Sequence, residues 1–300
     1  MYCIYMNKNI FLIVLLMFLL NCTVRNVENT TKSDHYELNR SVDQKAVLIL
    51  FPCFPCDIEH TKTEAGFLKD LQKEGITTLL LDYNQKLFLT EAEKEKIAGR
   101  LNSIVDRHNI ERKNIFIGGF SSGGNIALLI SAYLKKNNNP LQPKGVFVVD
   151  SPIDLEQLYH NAQRDVATNV DAEAVEEGKF LMALFEKDLG KPDEYPEKYK
   201  TASPYLISSN SIENIQYLRE VKTRFYCEPD LEWQRQNKGR KFEDLNAFVL
   251  KKGNESLFNL GNLKTEYIET KNRGIRANGK KHPHSWNIVE REELLKWMRE

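Results

Sequence analysis

The chain has 300 residues, with 42 Lys and Arg balanced by 42 Asp and Glu, 41% hydrophobic and 28% charged residues. This composition fits a folded protein with a sizeable core and excludes a disordered chain. Zero net charge argues against a nucleic-acid partner, which needs a basic face. Five cysteines are too few for a disulfide scaffold, and a mean hydropathy of −0.48 is too low for a multi-span membrane protein.

The first feature in chain order is an unbroken apolar run, Ile10 to Leu20, behind Lys8. It is long enough to cross only about half a bilayer core, which fits the apolar region of a signal peptide. Leu19-Leu20-Asn21-Cys22 resembles a bacterial lipoprotein cleavage box. That resemblance implies a signal peptide over 1–21, lipidation at Cys22 and membrane attachment through the lipid. The chain would then sit in the bacterial cell envelope, lipid-anchored or secreted. Residues 22–43 are polar and aperiodic and read as a tether.

From residue 44 the pattern alternates between short β-rich runs and helical stretches. Strands are predicted at 45–51, 76–83, 114–120, 145–150, 223–228 and 263–270. They are continuous apolar runs, as expected of a parallel sheet covered on both faces. Thr90-Glu91-Ala92-Glu93 is a capping box that opens a helix to about His108. Further helices are predicted from Ser122 to about Lys136 and from Trp286 to the C-terminus. Repeated β-α-β units give an α/β domain over 44–300, with a doubly wound, mostly parallel sheet. Residues 151–217 are too long for a simple crossover and mix helical fragments with Gly190, Pro192, Pro196 and Pro204, which marks a helical cap insertion. Residues 271–285 form a polar loop before the last helix.

Gly119-Phe120-Ser121-Ser122-Gly123 closes one predicted strand and opens a helix. In this setting G-x-S-x-G is a nucleophile elbow: a sharp turn projects the serine oxygen, and the flanking glycines avoid a steric collision. The helix start adds an N–H and a positive dipole end beside a developing oxyanion. A competing reading is a glycine-rich phosphate-binding turn. Ser121 needs a base and an orienting acid, expected in the order Ser, acid, His. Of six histidines, only His282 and His284 follow the last strand; His284, nearest the final helix, is the preferred base and His282 the alternative. The acid belongs at a strand end. Asp230 is preferred, with Asp150, then Asp154, as alternatives and Glu228 close by.

Taken in order, residues 45–300 resemble the α/β-hydrolase superfamily. The resemblance implies a serine hydrolase with Ser121 as nucleophile, Asp230 as acid and His284 as base. It also implies an acyl-enzyme, with an ester rather than an amide as substrate and no cofactor or metal. Backbone N–H groups of Ser122 and Phe54 would hold the oxyanion; Pro52-Cys53 stands where the family often has His-Gly. The family's first two strands have no obvious counterpart. The substrate is expected to be a small-molecule, glycan or lipid ester. Five basic residues and no acid in 271–284 suggest that Arg273 or Arg276 meets a substrate anion, and Trp233 is placed as a pocket wall. The cap stretch 151–200 carries twelve acids against six bases, so overall neutrality is a sum of opposed patches. Two other readings remain. One is a non-catalytic binding protein of the same fold. The other is a thioredoxin-like redox protein using Cys53 and Cys56, which lie between a strand and a helix. That fold requires a facing cis-proline, and no proline lies between Cys56 and Pro140. A zinc site at the same pair lacks a second pair of ligands.

Overall fold

The computed structural model describes residues 29–82 and 86–300. The predicted signal peptide and Cys22 lie outside them. Eight strands form one sheet: β1 (Thr30–Ser33), β2 (Tyr36–Asn39), β3 (Ala46–Phe51), β4 (Ile76–Leu81), β5 (Ile115–Phe120), β6 (Pro143–Val149), β7 (Lys222–Cys227) and β8 (Thr265–Glu269). Their spatial order is β1-β2-β4-β3-β5-β6-β7-β8. β1 and β2 are antiparallel, as are β2 and β4; every pairing from β4 to β8 is parallel.

Alternate residues of each central strand enter different cores, as the pleat requires. The first helix, α1 (Ile58–Glu64), follows β3; Val47, Ile49 and Phe51 pack with Ile97 and Leu101 of α2 (Glu91–Arg107), Ile126 and Ile130 of α3 (Ser122–Lys136), and Leu250 of α8 (Asn246–Asn259). Leu48 and Leu50 face Phe67, Trp286 and the apolar stripe Leu294, Leu295, Trp297 and Met298 of α9 (Arg291–Arg299). Covering both faces explains why the strands read as apolar runs. The capping box at α2 forms as the sequence predicts: Glu93 N donates to Thr90, and Thr90 N donates to Glu93.

The expected tether is partly a β-hairpin. β2 seats buried Tyr36 and Leu38 and ties its edge down with two polar contacts: Lys62 Nζ donates to Glu37 at 3.0 Å, and Tyr36 Oη lies 2.7 Å from His108 Nε2. β1 is short, polar and mostly exposed, which suits an edge that must not recruit another strand. The sheet therefore does contain counterparts of the first two family strands. The last helix also differs from expectation. Trp286–Ile288 form a single 3₁₀ turn, Val289 is extended, and α9 begins at Arg291.

The predicted cap is helical: α4 (Leu155–Thr168), α5 (Ala172–Asp188) and α6 (Pro196–Ala202). It has its own core of Leu155, Tyr159, Leu181, Phe185 and Tyr199, joined by Leu87 from the loop after β4. Asp154 fixes its entry. The carboxylate is buried and accepts N–H bonds from Gln157 at 2.9 Å and Ile207 at 2.8 Å, so it serves the cap and not the histidine loop.

Candidate active site

Ser121 sits between β5 and α3 with φ 53° and ψ −128°. A non-glycine residue adopts this backbone only when its surroundings enforce it. Here they do. Ser121 N donates to Val149 O at 2.9 Å, while a Cβ at Gly119 would run into the Gly123 backbone and one at Gly123 into the carbonyls of Phe51 and Pro52. The elbow has the predicted form.

His284 arrives on the loop before α9. Its ring lies 4.5 Å from that of Phe120, the residue preceding Ser121. Its Nδ1 is 2.6 Å from Oδ2 of Asp150. Asp150 follows β6, the strand beside β5; its N–H donates to Tyr226 O at 2.8 Å, and its carbonyl accepts from Asn246 Nδ2 at 2.9 Å. The carboxylate beside His284 is thus Asp150, the sequence's second choice.

Asp230, the first choice, is engaged elsewhere. It caps α7 (Leu231–Lys238) by accepting from Trp233 N at 3.2 Å, and it pairs with Lys281 at 2.5 Å. Burial opposes its ionisation, but Lys281 and the Trp233 N–H outweigh this and hold the carboxyl below its ordinary range. Glu228 is buried and accepts from Thr270 Oγ1 (3.0 Å), Arg273 N (2.8 Å) and Gly274 N (3.0 Å). Both acids after β7 therefore hold the 271–284 loop, one at each end. Nothing in the spacing of the sequence distinguishes that duty from orienting the histidine.

His282 packs against Trp233, ring centres 5.0 Å apart, so Trp233 braces the loop. Burial, then the neighbouring positive charge of Arg276, pushes the His282 imidazole down to about 4. Arg273 pairs with Glu290 at 3.1 Å, and its N–H is held by Glu228. Two of the five cations expected to attract a substrate anion, Arg273 and Lys281, thus have protein partners. The acidic cap is answered in part in the same way: Asp171 meets Lys238 and Asp165 meets Arg240, whereas the cap base Arg164 pairs with Asp244 outside the cap at 2.5 Å.

The loop after β3 reaches the elbow. Phe54 N donates to Ser122 Oγ at 2.8 Å, and Ser122 is buried. Cys53 and Cys56 form a disulfide around Phe54, braced by Cys56 N to Cys53 O at 2.8 Å. The Phe54 ring stacks on Phe180 of cap helix α5, 5.5 Å centre to centre. The cysteine pair belongs to a loop of this eight-stranded sheet, so the thioredoxin-like reading fails on the fold.

Sheet order, elbow and cap define the α/β-hydrolase fold. The sequence matches no protein-family model and has no significant match among curated proteins. Solved structures do resemble it. Carboxyl esterase 2 of the mycorrhizal fungus Tuber melanosporum superposes with a TM-score of 0.55 at 18% identity, over 88% of this chain and 82% of that one. An esterase of the bacterial hormone-sensitive lipase family gives 0.53 at 13%, over 91% and 84%. An esterase/lipase from an uncultured bacterium gives 0.54 at 13%, over 90% and 85%. At these identities the likeness is one of fold.

Proposed function

We propose that this chain is a serine hydrolase that cleaves carboxylic esters through an acyl-enzyme on Ser121, with His284 as base and Asp150 as orienting acid. The observation that carries the proposal is the 2.6 Å contact between His284 Nδ1 and Asp150, on a histidine ring packed beside the elbow. Asp150 holds Nδ1 protonated, which leaves Nε2 free to take the Ser121 proton. Ser121 Oγ then attacks the ester carbonyl. The N–H of Ser122, and that of Phe54 once it leaves Ser122 Oγ, receive the oxyanion. His284 returns the proton to the departing alcohol, and water repeats the sequence to release the acid. Esters are favoured over amides because the similar solved structures named above are esterases.

The test is labelling with a fluorophosphonate, followed by hydrolysis of p-nitrophenyl esters. Label on Ser121, and loss of several orders of magnitude in kcat for Ser121→Ala, support the reading. An unlabelled protein that turns over no ester is a binding protein of the same fold. We also propose export with lipid attachment at Cys22. The apolar run and cysteine of the sequence support it, as does a disulfide, which persists in oxidising compartments. Among the described residues no helix is long and apolar enough to cross a membrane. Cys22→Ala should move the protein out of the membrane fraction.

A further inference from the structure

The geometry points to Cys53–Cys56 as a thiol-exchange site that takes a dithiol and controls the oxyanion donor at Phe54. This rests on the hydrolase reading for its effect on turnover, though not for the exchange itself. The two cysteines bracket Phe54, whose N–H is held by Ser122 Oγ at 2.8 Å. The disulfide fixes the loop on both sides of that amide, beside the stacking of the Phe54 ring on Phe180. The sulfurs differ in access. Cys53 is only 5% exposed, whereas Cys56 is half-buried, so an incoming thiolate reaches Cys56 first. A ring nitrogen of His60 lies within 4.8 Å of both sulfurs; when protonated it stabilises the departing thiolate. The remaining described cysteine, Cys227, is buried and free, so it does not compete.

The reaction balances as follows. One thiolate of the dithiol attacks Cys56 Sγ, the Cys53–Cys56 bond breaks, and Cys53 leaves as a thiolate that takes up a proton. The second thiol of the reagent attacks the mixed disulfide, closing the reagent into its own disulfide and releasing Cys56, which takes the second proton. Two electrons pass from the dithiol to the cysteine pair. The freed loop no longer holds the Phe54 amide toward the elbow, so one oxyanion donor is lost.

The experiment treats the full chain with dithiothreitol and follows three readouts. Iodoacetamide should label Cys53 and Cys56 but not Cys227. Amide exchange in the peptide containing Phe54 should accelerate at least about tenfold. Ester turnover should fall about 100-fold in kcat, the usual effect of losing one oxyanion donor, with KM little changed and activity restored on reoxidation. His60→Gln should slow the reduction severalfold. Cys53→Ala/Cys56→Ala should have the low turnover and ignore the reductant; the reduced wild-type chain, which needs no substitution to fold, is the deciding sample. A pair that resists the dithiol overturns the proposal. So do two alkylated thiols with Phe54 exchange unchanged, or with turnover unchanged in an active enzyme. Accelerated Phe54 exchange in a protein that cleaves no ester in either state refutes the hydrolase reading and leaves the exchange site standing.

Discussion

Replacing Asp150 with Asn removes one negative charge beside His284 and little else. Asp150 has φ 44°, a conformation that Asn tolerates well, and its backbone bonds to Tyr226 and Asn246 do not involve the carboxylate. In the proposed mechanism His284 takes the Ser121 proton in the transition state, so the interaction with Asp150 matures there. Both side chains are largely enclosed, 14% and 29% exposed. Two unit charges about 4 Å apart at an effective dielectric of about 20 attract by about 4 kcal/mol. At about 1.4 kcal/mol per decade this is about three decades in rate. Asn can also turn its NH2 toward Nδ1 and favour the wrong tautomer, which raises the expected loss in kcat to about 10³–10⁴-fold. The matched control is Asp230→Asn. Asn still caps α7, and an ion pair with the exposed Lys281 contributes little, so kcat should stay within about threefold. Steady-state hydrolysis of p-nitrophenyl esters, with thermal melts to verify folding, separates the two. Near-normal turnover in Asp150→Asn together with a thousandfold loss in Asp230→Asn would refute the assignment.

Other consequences follow from the same contacts. Glu228→Ala strips a buried acceptor from three donors and should destabilise the protein by about 2–4 kcal/mol in denaturant melts, while Glu228→Gln, which keeps an acceptor, should lose less; equal losses would mean the loop is held otherwise. Gly119→Ala places a Cβ against the Gly123 backbone and should cost about 3 kcal/mol or prevent folding; a normal melting temperature would mean the elbow is not packed as described. Burial raises Asp154 to about 6. Its folded pKa lies above the ordinary carboxylate value, so ionisation penalises the fold above pH 6, and stability rises as pH falls from about 6 to 4, by about 3 kcal/mol in all. His282 acts oppositely: its folded pKa is depressed to about 4, so stability is lost as pH falls from 6.5 toward 4. Asp154→Asn should therefore steepen the acid loss of stability relative to wild type, and His282→Gln should flatten it; identical pH profiles for all three proteins would contradict both.

The parallel strands, the capping box, the elbow and the cap were legible because each has a local signature: a continuous apolar run, a Thr-x-x-Glu, a pair of glycines around a serine, a long interval rich in breakers. The edge hairpin had none. β1 and β2 are four residues each and mostly polar, and only the pairing of β1 with β2 and of Tyr36 to Asn39 with β4 makes them strands. The helices between β7 and β8 were missed because that interval mixes charged residues with weak periodicity. Charge complementarity was also hidden. The acidic cap and the basic residues following it are far apart in sequence, yet Asp165 and Arg240, or Asp171 and Lys238, meet across the cap boundary. Part of the segregation read from composition is therefore a pair of ion pairs holding the cap.

The acid was the least legible element, for a reason that lies in the sheet. β6 and β7 are neighbours, paired from Gly145 with Lys222 to Val149 with Tyr226. Their C-terminal ends lie side by side, and both carry acids: Asp150 after β6, Glu228 and Asp230 after β7. A histidine on a loop before the last helix could meet any of them. What separates them is where the loop is tied. Glu228 accepts the N–H groups of Arg273 and Gly274, and a Cβ on Gly274 would strike Pro283 and the carbonyl of His282, so the two ends of the loop are pressed together above β7. Lys281, near the loop's second end, is drawn to Asp230. With both acids after β7 engaged in closing the loop, His284 is carried past them toward Phe120 and meets the carboxylate one strand nearer the serine. Choosing among three acids thus depended on a loop closure made by backbone N–H groups, and backbone donors leave no trace in residue type.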